Sequence, residues 1–377
     1  MVVILAALGA VVAAQAPIEG ATTYTAPTCA AAPESDVCKL DLTRTAAEVE
    51  AGLGGRATAW RAEGDRLVVF ARRPEEAVQL CCATRTSMDR IPGTDLWSVT
   101  LRVRDLDRAV IDILVNQDPE NRALPAFLGP KAPPAPLMAE ALAGTVAHET
   151  VDSVALGEPR KLSAYTPPGF RPGRRYPVVY MADGQVLEGY ARIIDPLIRR
   201  GELPPVVLVG VWPNQADPSV NWRRLEWVVG QDPDRFARVE AFLLNEVIPL
   251  AERKYGASTR RDERMIWGTS AGAAWSLVMS QRRPDLFGRV VALSGGSGEA
   301  ATIAAADGPP LFLAAGRFEP EYLRVNRELA ARARAAGREV VLKEPAAGHS
   351  FLTWQPLLPE ALRWAFGDGR KRGPDGL

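Results

Sequence analysis

A serine hydroxyl is a weak nucleophile at neutral pH until a base takes its proton, so a reactive serine is recognised by its surroundings. Ser270 lies in Met265-Ile266-Trp267-Gly268-Thr269-Ser270-Ala271-Gly272-Ala273-Ala274-Trp275. An apolar run ends there in a Gly-x-Ser-x-Gly turn, and small residues follow. The pattern predicts a strand, a sharp turn and a helix start, with the hydroxyl at the helix N-terminus. Gly268 and Gly272 have no Cβ, so strand and helix can approach closely. The Ala271 N–H then points to where an oxyanion would develop. The same letters also fit an ordinary strand-to-helix turn, so the rest of the chain must decide.

The chain has two histidines. His349, in Gly348-His349-Ser350-Phe351, follows the last expected strand and is the candidate base. His148 precedes the expected large sheet and reads as a structural or surface residue. An acid must orient the imidazole and stabilise its cation. Gly316-Arg317-Phe318-Glu319-Pro320-Glu321 offers two. Glu319 is the candidate. Glu321 reads as an acidic residue in a helix's first turn, favoured there by the dipole. Asp307 comes before the strand and is poorly placed. A second oxyanion donor should follow the strand at 177–181. Gly184 lets that loop turn tightly, and the Gln185 N–H is the candidate. Together these residues suit acyl transfer, with water or an alcohol as the acceptor.

These side chains need a scaffold. Short apolar strands are expected at 177–181, 206–211, 290–293, 311–315 and 339–342. Helices are expected at 187–200, 234–255, 321–336 and 357–366, the second with Phe236, Val239, Phe242, Leu243, Val247 and Leu250 on one face. Apolar strands alternating with helices imply a mostly parallel sheet covered on both faces, preceded by an antiparallel pair at 151–156 and 161–165. Residues 41–118 read differently. Short strands at 67–70, 78–80, 97–103 and 109–115 with polar turns predict a small β-sandwich. Residues 17–40 read as a flexible lead-in. The proline-rich passage 119–142 reads as a stiffened linker to a second domain at 143–367, with a disordered tail at 368–377.

Composition narrows the partners. The 377 residues carry 45 basic and 45 acidic side chains. That balance gives no electrostatic case for nucleic acid or an anionic membrane surface. No apolar run of about 18 residues follows the N-terminus, so no spanning helix is expected. Residues 1–16 read as a secretory signal, with Ala14-Gln15-Ala16 as the cleavage site, although no Lys or Arg precedes the apolar stretch. A periplasmic or secreted location follows, where the four cysteines can oxidise. A Cys29–Cys38 loop or a link from Cys38 to the Cys81-Cys82 pair are both open. No metal-ligand spacing surrounds them, and no cofactor is expected.

At this point the chain resembles the putative-esterase family of α/β-hydrolases, and within it the enterochelin (enterobactin) esterases. The resemblance runs over residues 60–366. It rests on Ser87-Met88-Asp89-Arg90-Ile91-Pro92-Gly93-Thr94-Asp95-Leu96-Trp97 in the first part. In the second it rests on Asp183-Gly184, Arg223-Arg224-Leu225-Glu226, the Ser270 elbow, Pro284-Asp285-Leu286-Phe287-Gly288, Ala315-Gly316-Arg317-Phe318-Glu319-Pro320, and Gly348-His349 with Trp354. It implies an α/β-hydrolase fold and a serine esterase acting on a bulky ester, such as a siderophore-type catecholate trilactone. Ser270 would be nucleophile, His349 base and Glu319 acid. Arg223 and Glu226 would lie near the substrate, the arginine holding an anionic group; a surface salt bridge is the other reading of that pair. Trp354, with Trp212, Trp222 and Trp227, would line an aromatic cleft, unless these are core residues. Feruloyl and acetyl-xylan esterases and mycolyl transferases share the fold. One departure is Ser350-Phe351 after His349, where many relatives have an acidic residue.

Overall fold

The computed structural model describes residues 18–21, 25–81, 84–116, 126–297 and 308–367. The expected signal at 1–16 and tail at 368–377, with Cys82 and Asp307, lie outside the described residues.

The first described strand falls where a lead-in was expected. β1 (Val37–Leu40) pairs antiparallel with the long central strand β7 (Leu96–Val103), and Val37 and Cys38 are buried. Cys38 is bonded to Cys29, which closes the loop in front of β1. Cys81 is disulfide-bonded as well. After β1 comes an eight-residue helix, α1 (Ala46–Leu53), that the apolar periodicity did not reveal. Its local signal was present: Thr45 accepts from the Glu48 N–H, and Glu48 bonds back to the Thr45 N–H, forming a capping box.

β2 (Thr58–Glu63), β3 (Arg66–Arg72) and β6 (Asp89–Arg90) complete the sheet of β1 and β7. A second, three-stranded sheet holds β4 (Gln79–Cys81), β5 (Thr86–Ser87) and β9 (Leu114–Val115). Residues 109–115 were expected as one strand. Instead β8 (Val110–Asp112) pairs with β10 (Ala126–Leu128), whereas β9 pairs with β4. The break at Ile113 lets one run serve two partners. β10 lies inside the expected linker, so that passage is not merely a spacer. Farther along it, the Ala139 N–H bonds to Arg192 O at 2.8 Å. One apolar cluster, with Val37, Leu67, Trp97, Ile111 and Val115, joins these sheets.

The second half is built on eight strands. β11 (Thr145–Ser153) and β12 (Glu158–Thr166) form the expected antiparallel pair. β13 (Val178–Ala182), β14 (Val207–Val211), β15 (Arg264–Thr269), β16 (Arg289–Leu293), β17 (Leu311–Ala314) and β18 (Val340–Lys343) follow. The order is β11-β12-β14-β13-β15-β16-β17-β18; β12 meets β14 antiparallel, and every later neighbour pair is parallel. Every residue of β13, β14, β15 and β17 is buried, as strands covered on both faces require. Alternate side chains feed two cores. Tyr180, Ile266 and Val290 face one, with α4 (Pro233–Phe242), α5 (Ile248–Lys254), α6 (Ala271–Arg282) and α7 (Pro320–Ala335). Val179, Trp267 and Val291 face the other, with α2 (Leu187–Arg199) and α9 (Leu358–Phe366). The short helices α3 (Trp222–Trp227) and α8 (Phe351–Trp354) lie in the loops between β14 and α4 and between β18 and α9.

The helix expected at 234–255 is helical nearly throughout, but Leu243–Val247 adopts π geometry between α4 and α5. Pro249 sits just beyond, in the first turn of α5, and has no N–H for an α-helical bond; the wider turn absorbs the mismatch.

Candidate active site

The carboxyl ends of parallel strands are where open α/β sheets bind ligands, and the predicted site residues converge there. β15 ends at Thr269 and α6 begins at Ala271, leaving Ser270 alone at the corner. Its backbone is at φ 54°, ψ −120°, a region L-residues rarely adopt. The Ser270 N–H is anchored to Leu293 O at 2.9 Å. A Cβ on Gly268 would lie 1.8 Å from Gly272 O, and one on Gly272 would lie 2.8 Å from the Ala182 Cβ. Both glycines are therefore required by contact.

The Ser270 Oγ lies 2.8 Å from His349 Nε2. On the far side of the ring, Nδ1 lies 2.5 Å from Glu319 Oε2. An ionised carboxylate only accepts hydrogen bonds, so Nδ1 donates to Glu319 and Nε2 is left to accept from the Ser270 hydroxyl. Glu319 is fully buried at the entrance to α7. Its second oxygen, Oε1, accepts from the Gly316 N–H at 2.6 Å and from the Ser294 hydroxyl at 2.5 Å. Glu321 sits in the first turn of α7, as expected of it.

The predicted oxyanion donors are close to this corner. Ala271 opens α6, and the N–H groups of a helix's first turn have no partner inside the helix. Gln185 lies in the short 3₁₀ turn Gly184–Val186 after β13, the strand parallel and adjacent to β15. A Cβ on Gly184 would sit 2.3 Å from Gly210 O, which explains a glycine there.

The reading from sequence gave Asp183 no role, although Asp183-Gly184 was among the resembling stretches. Asp183 is buried in a left-handed backbone conformation at φ 61°. Its carboxylate accepts from Arg223 Nε and Nη2, both at 2.7 Å, and from Trp227 Nε1 at 3.2 Å. Burial works against the Arg223 charge, but the Asp183 bonds outweigh it and hold the guanidinium above its ordinary value. Arg223 is thus a partly exposed cation held in place by a buried carboxylate.

Three expectations need correction. Glu226 is fully buried, with Oε1 on Arg160 Nη2 (2.8 Å) and Arg235 Nε (2.9 Å), and Oε2 on Arg160 Nη1 (2.8 Å) and the Asn214 N–H (3.0 Å). Its acceptor capacity is spent inside the protein, so it does not face a substrate. Trp354 is 5% exposed and lies edge-on to His349 with ring centroids 5.0 Å apart, its Nε1 donating to Ser294 Oγ at 2.8 Å. It packs against the His349 ring rather than facing a cleft. The other tryptophans do not gather either. Trp227 is core, Trp212 donates to Ser163 Oγ, and Trp222 donates to Asp217 O and lies under Arg235. The aromatic neighbour that was missed is Tyr322, whose ring centroid is 4.7 Å from that of His349. His148 is remote, on edge strand β11, where its Nδ1 meets Ser163 Oγ at 2.9 Å.

A mostly parallel sheet with a strained serine corner after a central strand defines the α/β-hydrolase type. The Putative esterase family profile matches residues 153–309. The fold is shared with the enterobactin esterase of Shigella flexneri, solved in the presence of enterobactin. That match has TM-score 0.61 and 20% identity, and it covers 83% of this chain and 97% of that one. The ferric enterobactin esterase of Salmonella typhimurium matches to the same extent, at TM-score 0.61, 20% identity, 83% and 97%. In sequence, an uncharacterized Bacillus subtilis protein, YbbA, is 25% identical over 146 residues, 36% of this chain and 56% of its own length. An endo-1,4-beta-xylanase/feruloyl esterase of Xylanibacter ruminicola is 25% identical over 238 residues, 59% of this chain and 31% of its own length. The chain thus spans little more than half of the first of these relatives and less than a third of the second. Among the described residues no helix is long and apolar enough to cross a membrane.

Proposed function

We propose that this chain is an exported serine ester hydrolase working through Ser270, His349 and Glu319. The observation that carries this reading is the unbroken hydrogen-bonded series from Ser270 Oγ through the His349 ring to buried Glu319. Ser270 Oγ attacks the ester carbonyl while His349 Nε2 takes its proton. The Ala271 and Gln185 N–H groups hold the tetrahedral oxyanion. His349 then returns the proton to the leaving alcohol as the C–O bond breaks. Water, deprotonated by the same imidazole, attacks the acyl-enzyme; the acid leaves and Ser270 recovers its hydrogen. An alcohol in place of water would make the same site an acyltransferase.

For substrate we propose a bulky ester with an aromatic and acidic acyl part, such as a catecholate. Support comes from Arg223, fixed by Asp183 yet partly exposed, which suits an anionic ring substituent. Enterobactin and feruloyl esters, named with the relatives above, belong to this chemical class. Export is supported by the Cys29–Cys38 disulfide, a bond that persists in oxidising compartments.

Hydrolysis of p-nitrophenyl acetate and butyrate, with and without a serine-directed phosphonate, tests the reaction. Ser270→Ala should lose about 10³-fold or more in kcat with its fold intact; an unchanged rate rejects the assignment. A ferric catecholate trilactone, a feruloyl ester and p-nitrophenyl octanoate then rank the substrates. Either aromatic ester should give the highest kcat/KM; octanoate in first place would reject the aromatic reading.

A further inference from the structure

The loop that carries Glu319 is held from outside the eight-stranded sheet. Arg317 Nη2 donates to Asp36 Oδ1 at 2.8 Å, and Nη1 donates to Asp105 Oδ2 at 2.8 Å. Both aspartates belong to the N-terminal sheets, Asp36 just before β1 and Asp105 just after β7. Phe318 is fully buried, and it belongs to the apolar cluster of Leu67, Trp97 and Ile111 rather than to either core of the large sheet. The next residue is Glu319. The base is tied to the same side: the Val110 N–H of β8 donates to Ala346 O at 2.9 Å, three residues before His349. The Phe318 N–H donates to Ala347 O at 3.0 Å, joining the two loops.

The anchor is itself restrained. Asp36 lies inside the loop closed by Cys29–Cys38, and its carbonyl accepts from the Arg104 N–H at 2.8 Å. The hydrogen bond from Arg317 to Asp36 outweighs the burial of Arg317 and raises its pKa, so the guanidinium stays charged wherever the protein is folded. The nucleophile, by contrast, is fixed within the large sheet by its own elbow. The two halves of the protein therefore meet at the acid–base side of the site.

We propose that Arg317 and Phe318 are positioning residues through which the N-terminal sheets, with disulfide-held Asp36 as anchor, set Glu319 against His349. This rests on the triad proposed above. The N-terminal part is then a component of the catalytic machinery whatever it does for substrate. The physical reason is distance sensitivity: displacing a catalytic group by about 1 Å can cost about 10²-fold in rate. A loop fastened at residues 317 and 318 cannot let residue 319 drift.

The full-length chain tests this with Arg317→Ala, Asp36→Asn, Phe318→Ala and Phe318→Leu, against Arg327→Gln as control. Arg327 lies beside Asp36 and Arg317 on the surface, but its guanidinium hydrogen-bonds to Glu344 instead, so it controls for a lost charge at this place. Measured are kcat and KM on p-nitrophenyl butyrate, the rate at which a phosphonate modifies Ser270, and thermal unfolding. Arg317→Ala and Phe318→Ala should lower kcat and the phosphonate rate together by about ten- to a hundred-fold, with KM within about two-fold. Phe318→Leu keeps an apolar anchor and should recover most of the rate. Should Phe318→Ala fail to fold, Asp36→Asn, which keeps shape and removes one charge, decides with a smaller loss of the same kind. Wild-type kcat and phosphonate rates in folded Arg317→Ala and Asp36→Asn overturn the proposal, as does an equal loss in Arg327→Gln. Hydrolysis surviving in Ser270→Ala would overturn the serine mechanism itself, a failure visible without any of these variants.

Discussion

Ser294 donates its hydroxyl to Glu319 Oε1 at 2.5 Å, the carboxylate oxygen that His349 does not use. Ser294 stands at the end of β16 with φ 53°, and its own Oγ accepts from Trp354 Nε1. The buried Glu319 carboxylate is thus held by hydrogen bonds at both oxygens, one side facing His349 and the other facing a serine that an indole orients. Ser294→Ala would leave Oε1 with the Gly316 N–H and free the indole. Losing such a bond in a buried site costs about 1–2 kcal/mol, or roughly five- to thirty-fold in kcat if it falls on the transition state. Trp354→Phe should follow in the same direction with a smaller loss. Steady-state kinetics on p-nitrophenyl butyrate check both, and a rise in KM with constant kcat would place these residues on the substrate instead.

Glu319→Gln should be far more damaging than Glu321→Gln. The amide keeps the size of the side chain but cannot stabilise an imidazolium, and its nitrogen can face His349 and select the wrong tautomer. Glu321 lies in the first turn of α7, where the helix dipole favours an acidic side chain. Comparable kcat values in the two variants would mean that the acid has been misassigned.

Glu226→Ala should unfold the protein more easily without first touching the chemistry. Arg160 is 2% exposed, and Glu226 is its closest buried counter-charge. Removing one partner of a buried pair costs up to about 3–5 kcal/mol; Glu158 still pairs with Arg160 and Arg235, so the loss should fall below that range. Chemical denaturation should report that loss, while kcat in the folded fraction stays near wild type. A stable variant with a raised KM would return Glu226 to the substrate.

Glu158 adds a pH dependence to the same network. Burial pushes its carboxyl up, but hydrogen bonds from Arg235 and Arg160 outweigh burial and hold it below the ordinary value. A carboxyl depressed on folding stabilises the protein above its unfolded pKa of about 4.3 and loses that contribution as the pH falls through the folded value. Glu158→Gln should therefore lower the Tm at neutral pH, and the gap to wild type should close below about pH 4. A gap that stays constant or widens in acid would contradict the ionised pair.

Much of this protein was legible locally. The Gly-x-Ser-x-Gly corner and the buried strand runs of β13 to β17 are properties of short stretches, and each predicts its geometry through sterics and periodicity alone. Even the missed helix α1 announced itself in Thr45 and Glu48. What only the tertiary structure decided depends on contacts between distant segments. Arg317 and Asp36 are 281 residues apart, and no periodicity encodes their meeting. The same holds for Glu226, whose role depends on Arg160, 66 residues earlier, reaching it in the interior. A charged or aromatic side chain reads alike whether it will face a ligand or a buried partner. The tryptophans that suggested a cleft, and the arginine and glutamate that suggested a binding pair, were therefore told apart only by packing, which buries Glu226, Trp227 and Trp354 and leaves Arg223 partly exposed.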